Sequence, residues 1–269
     1  VRPNRVALTF LALTFASVPV AARADDSSTF VSVGPLYYDT SSYFNRSGQR
    51  EQSSCDFQKS GYSVYVDKPV SATDNVHLST EYDDVRCGGP STRGLTDIEV
   101  DFLKGVGGKQ RPRQFQVEGG VIIPSGYSIA ANPRLGLGRT AALAGGVYNG
   151  TFKVGALYGY VTGGAVARVY TGYPAPQLIS TVTAGLNLTH QLLFYEQYYG
   201  TTHLGAGGTL TNIGLNPTVN AVFDSYTISE NVAYTFASRT ALDLTYQTQL
   251  GGWNSGIGTT FQAGLWHRF

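Results

Sequence analysis

The sequence predicts an all-β fold, an antiparallel up-and-down transmembrane β-barrel of about twelve strands. Three observations predict it. Apolar side chains recur with a period of two, not 3.6. Most of the alternating segments run about 9–13 residues, the length a tilted strand needs to cross a bilayer. The connections between them read long, short, long, short along the chain, as outside loops and periplasmic turns do.

The strands fall at 29–39, 61–69, 76–85, 96–105, 113–123, 136–148, 151–162, 176–187, 191–201, part of 218–236, 241–250 and 258–269. In the third, Val76, Leu78, Thr80 and Tyr82 share one face, while His77, Ser79, Glu81 and Asp83 share the other. In the fourth, Ile98, Val100 and Phe102 oppose Asp97, Glu99 and Asp101. In the seventh, Phe152, Val154, Ala156, Tyr158 and Tyr160 line one side, and Asn149-Gly150 before it is a type I′ hairpin signal. Long connections fall at 40–60, 86–95, 124–135, 163–175, 202–217 and 251–257, and short ones at 70–75, 106–112, 149–150, 188–190 and 237–240. Between 219 and 236 the alternation slips and puts Glu230 on the apolar parity. A lipid-facing Glu at mid-depth is costly, so either a bulge re-phases the strand or Glu230 lies near a rim. A secreted β-sandwich also alternates, but long strands, Tyr-rich faces and charged polar faces favour the barrel.

Composition supports this class. The chain has 33 Gly and 18 Tyr, is 14% charged and carries a net charge of +1. No strong basic field points to nucleic acid. Although 42% of residues are hydrophobic, no later stretch of about 18 is apolar enough for a spanning helix. Residues 1–24 read as a signal peptide: Arg2 and Arg5, an apolar run over 6–20, then Ala22-Arg23-Ala24 with cleavage after Ala24. Residues 25–269 form one barrel domain in the outer-membrane lipid bilayer.

In the last strand Phe261, Ala263, Leu265, His267 and Phe269 share a face. This pattern, with its final aromatic residue, resembles the β-signal of bacterial outer-membrane proteins. The resemblance implies that Phe261, Leu265 and Phe269 are read by the barrel-assembly machinery. His267 stands where that signal usually has an aromatic residue. Leu95-Thr96-Asp97-Ile98-Glu99 and Val121-Ile122-Ile123-Pro124-Ser125-Gly126 resemble phrases in transporter-like barrels linked to phenol meta-pathway degradation. No site residue is carried over from that family.

Cys55 and Cys87 are the only cysteines. In an exported chain an even count favours a disulfide. The predicted topology brings both to adjacent loop ends outside the membrane. Inward-facing charges are expected at His77, Glu81, Asp83, Asp97, Glu99, Asp101, Glu118, Lys153 and Arg268. They form an acidic wall with scattered bases. The corresponding function is a porin-like channel for a small polar or amphipathic solute, with a folded-in loop as a gate. The alternative is a closed lumen in a structural or surface-interaction barrel. A third class, a lipid-modifying enzyme, rests only on the column His77, Ser79, Glu81. Neighbours two apart on a strand lie about 6.5–7 Å apart at Cα, too far for a triad. No catalytic residue, cofactor or metal site is expected.

Overall fold

The computed structural model describes residues 28–106, 113–173, 176–205, 216 and 222–269. The expected signal peptide lies outside these residues. The described chain forms thirteen strand segments: β1 (Phe30–Phe44), β2 (Arg50–Pro69), β3 (Asn75–Cys87), β4 (Ser91–Leu95), β5 (Ile98–Val106), β6 (Arg113–Ile123), β7 (Ala141–Val154), β8 (Leu157–Tyr170), β9 (Gln177–Asn187), β10 (Leu192–His203), β11 (Asp224–Ala237), β12 (Thr240–Trp253) and β13 (Ser255–Arg268). All pairings are antiparallel, and β1 pairs with both β2 and β13, which closes the sheet. Because β3 pairs with both β4 and β5, these two are one stave, and the thirteen segments make a twelve-stave barrel.

A bulge separates β4 from β5. From the pair Tyr82–Leu95 to the pair Ser79–Glu99, β3 advances three residues and its partner four. The extra residue turns both Thr96 and Asp97 away from the outer face. The Glu81 amide donates to the Thr96 hydroxyl at 3.2 Å.

Period-two alternation sorts side chains between lipid and lumen. Val33, Leu78, Phe102, Val117, Val121, Val182, Leu244 and Leu265 are exposed on the outer surface. Phe115, Phe152 and Tyr234 lie outward near the strand ends that carry the short turns, as a periplasmic aromatic girdle does. The start of β1, Phe30, and the end of β13, Arg268, pair at that same periplasmic end. With this exterior, the fold is that of an outer-membrane β-barrel.

Several expected boundaries are corrected. Asn149-Gly150 is not a turn. The hairpin closes at 155–156, where Gly155 adopts φ 60° and Val154 pairs with Leu157. Asn149 stays in the strand because its amide is used there. It donates to Gln116 at 3.0 Å and accepts from the Thr162 hydroxyl at 2.9 Å. The turn therefore splits the expected 151–162 strand, and Tyr160 faces inward at 3% exposure, whereas Phe152 faces out. The connections at 40–60, 86–95, 163–175 and 251–257 are largely strand. β1 and β2 meet across 45–49, and Asn254 alone joins β12 to β13. These extensions continue the hydrogen-bond ladder above the bilayer, where neither face needs to be apolar. Of the segment where alternation slips, residues 219–221 lie outside the described residues, and β11 begins at Asp224. Glu230 is neither re-phased nor at a rim. It sits mid-strand and faces outward.

Candidate functional site in the barrel lumen

The lumen is layered. At the extracellular end, segment 124–140 folds into the mouth instead of standing above it. Its Leu135 packs with Tyr38, Phe57, Val85 and Cys87 on the β1–β3 side. Leu137 packs with Ile122, Leu143, Val166, Ile179 and Tyr199 on the β6–β10 side. Polar contacts hold the segment. The Tyr127 hydroxyl donates to Asp97 at 2.5 Å and accepts from the Gly138 amide at 2.7 Å. The Asn216 side chain donates to the Arg134 carbonyl at 2.6 Å. Ser125 donates to the Leu95 carbonyl at 2.6 Å, so the two phrases that resemble the transporter-like barrels touch each other.

At the periplasmic end an aromatic layer packs inside the barrel. Trp266 lies edge-on to Phe30 at 5.8 Å between ring centroids, and Tyr195 lies 6.2 Å from Trp266. Tyr65 and Tyr160 complete the layer. Arg268 covers the Phe30 ring at 5.4 Å.

Between these layers the lining is polar. The wall from β2 to β8 carries the charges. Lys59 bridges Asp83 at 2.8 Å and Glu81 at a shorter distance, all three nearly fully buried. Glu99 and Asp101 share the inward face of β5, and Arg168 reaches Glu99 at 3.6 Å. Glu118 faces inward from β6, opposite Leu103. His77 lies 3.5 Å from Asp67 and packs on the Tyr65 ring at 5.5 Å between centroids. The opposite wall is a ladder of neutral groups. Gln247 donates to Thr227 at 2.9 Å, and Asn231 donates to the Tyr195 carbonyl at 3.2 Å. One carboxylate, Asp243, stands among them and accepts from the Tyr195 hydroxyl at 3.0 Å.

The structure brings Glu81, Asp83, Glu99, Asp101, Glu118 and His77 onto one wall. Asp97 lies at the bulge above them. Lys153 is set apart at the periplasmic rim, exposed, with its ammonium 5.0 Å from the Tyr158 ring centroid. The expected column of His77, Ser79 and Glu81 does not converge, because His77 turns to Asp67 and Glu81 to Lys59.

Four charged lumen residues escaped the sequence reading. Lys59 lies before the expected start of its strand, and Arg168 fell in an expected loop. Both lie where β2 and β8 run beyond the expected strands 61–69 and 151–162. Asp67 and Asp243 were legible by parity. Asp243 alternates with outward-facing Leu242 and Leu244.

Cys55 and Cys87 form the expected disulfide, with Cα atoms 5.4 Å apart. It ties β2 to β3 above the bilayer, beside the cluster that receives Leu135.

The whole architecture is similar to that of an outer membrane channel from Pseudomonas putida F1. The TM-score is 0.68 over 91% of this chain and 97% of that one, at 11% sequence identity. It is also similar to the NanC porin, with a TM-score of 0.51 over 89% of this chain and 100% of that one, at 7% identity. The fold thus belongs with the β-barrels of the bacterial outer membrane. No family model and no curated protein matches the sequence.

Proposed function

We propose that this barrel is a gated outer-membrane channel for small polar solutes, with the inward-folded segment 124–140 as its gate. The charge imbalance of the lumen carries this reading. Among the described residues, eight inward carboxyl groups (Asp67, Glu81, Asp83, Asp97, Glu99, Asp101, Glu118 and Asp243) face three permanent cations, Lys59, Arg168 and Arg268. Asp83, Asp101 and Asp243 each have a buried carboxylate oxygen with no hydrogen-bond partner. A barrel that needed only filling would be more stable with apolar or balanced side chains, since burying an unpaired charge costs several kcal/mol. A hydrated, ion-conducting lumen meets those groups. Its net negative field favours cationic and neutral solutes over anions. The similar fold of the Pseudomonas putida channel supports the same reading.

Recognition of Phe261, Leu265 and Phe269 by the barrel-assembly machinery belongs to this proposal, as does a non-enzymatic role. All three residues are exposed on the barrel exterior, where such recognition needs them.

The second reading, a closed structural barrel, is favoured by the two apolar layers that bound the lumen. Planar-bilayer recordings separate the two. The channel reading expects conductance steps from the full chain, a cation-selective reversal potential in a salt gradient, and larger or longer openings after deletion of 127–138. Folded protein that stays silent both with and without that segment would leave the structural barrel.

A further inference from the structure

We propose that the lumen holds a subsite for the ammonium head of a small primary amine, centred on Asp243. This rests on the channel reading and names its substrate class. A cavity of about 50 Å³ lies between the two walls, lined by Ser79 and Glu81 on one side and by Asp243 on the other, with Tyr65, Tyr195 and Trp266 at its aromatic edge. A space of that size holds water and takes a small ammonium head.

The chemistry of the lining selects the charge. One oxygen of Asp243 accepts from Tyr195 at 3.0 Å and from Thr245 at 3.3 Å. The other has no partner, although the residue is only 6% exposed. Among the described residues no ion pair involves Asp243, whereas Glu81 across the cavity is already held by Lys59. A buried carboxyl group with an unpartnered oxygen and no ion pair offers a cation both an acceptor and a charge partner. The Ser79 hydroxyl, 5% exposed and unpartnered, supplies an acceptor from the facing wall. An ammonium donates three hydrogen bonds and also gains from aromatic ring faces. An anion would meet carboxyl groups and ring faces instead, and an uncharged alcohol supplies no counter-ion to Asp243.

The test uses the full-length barrel in detergent, with methylammonium chloride as the probe and sodium chloride as the control. The chain has two tryptophans, so Trp253→Phe leaves Trp266 as the sole indole reporter. Saturable change in Trp266 fluorescence with methylammonium, and none with sodium, is the expected result. Asp243→Asn, nearly isosteric, weakens binding about tenfold or more, the worth of one hydrogen bond to a charged group. Ser79→Ala, on a different strand, weakens it several-fold and serves if Asp243→Asn fails to fold. An unsaturable signal, an equal response to sodium, or unchanged affinity in the folded variants would overturn the site. Binding is read without conduction, so the two proposals fail separately. Methylammonium binding to a silent barrel would sink the channel and keep the subsite, while conduction without saturable binding would do the reverse.

Discussion

Glu196 on β10 and Glu230 on β11 are directly paired across the outer face of the barrel, two carboxylates side by side in a lipid-facing row. Tyr246 of β12 stands beyond Glu230 in the same row. Like charges opposite one another destabilise a strand pair, and a charge on the lipid face adds its own cost. Either Glu196→Gln or Glu230→Gln is expected to raise the urea midpoint of the barrel folded into liposomes. Because either change removes the repulsion, the double variant should gain less than the sum of the singles. Strict additivity would show that the two carboxylates do not interact.

Tyr127 links segment 124–140, the proposed gate, to the wall through Asp97 and to itself through Gly138. Tyr127→Phe keeps the ring and removes both bonds, a loss of about 1–2 kcal/mol from the closed arrangement. Single-channel recordings should show more frequent openings at unchanged cation selectivity. An unaltered open probability would separate the gate from this contact.

The Cys55–Cys87 bridge spans a sequence separation of 32 residues. Loop-closure entropy for a ring of that size is worth about 3–4 kcal/mol. Reductant should lower stability by that order, with a shift in gel mobility. Two thiols alkylated in unreduced, folded protein would contradict the bridge.

The position of the β7–β8 turn is open to a direct check. A β-branched residue is strained at the positive φ of Gly155, so Gly155→Val should cost about 1–2 kcal/mol. Asn149→Ala should cost a similar amount, about 1–2 kcal/mol, by removing the lumen bonds to Gln116 and Thr162. A turn at 149–150 would reverse the pattern, with Gly150 sensitive and Gly155 tolerant.

Asp74, in the periplasmic turn before β3, accepts from the Thr73 hydroxyl at 2.9 Å and from the Gly105 amide at 3.1 Å. The Thr73 bond first, then the Gly105 amide, holds its carboxyl below the usual carboxylate range. A depressed folded-state value contributes stability above the unfolded value, and that contribution is lost as pH falls through the folded one. The stability difference between the wild type and Asp74→Asn should therefore shrink on acidification below about pH 4. A difference that grows there would reverse the sign.

The sequence showed the fold more clearly than the site, and the reason is physical. Lipid imposes a strict rule on every second residue within the bilayer, so 76–83 and 98–102 could each be sorted by parity alone. Above the bilayer that rule lapses. Polar residues such as Gln52 and Ser53 extend β2 without any alternation to betray it. Lys59 and Arg168 were lost at these edges. Parity put Glu81, Asp83, Glu99 and Asp101 on the inward side, but a one-dimensional pattern cannot say which of them share a counter-ion. The pairing of Lys59 with two acids depends on the register of β2 against β3, which turn and loop lengths hide. The local signal of Asn149-Gly150 misled because side-chain bonds across three strands outweighed a two-residue preference.

Leu135 and Leu137 lie two residues apart and rest on opposite walls of the mouth. The segment that carries them acts as a keystone. Neither leucine can be withdrawn far while the other stays seated, because the short stretch of backbone between them allows little slack. Release of one contact therefore loosens the other, and the segment is expected to hold or leave the mouth as a unit. In the proposed channel a solute would then find the mouth shut or open, and its flow would follow the fraction of time spent open and not a graded width.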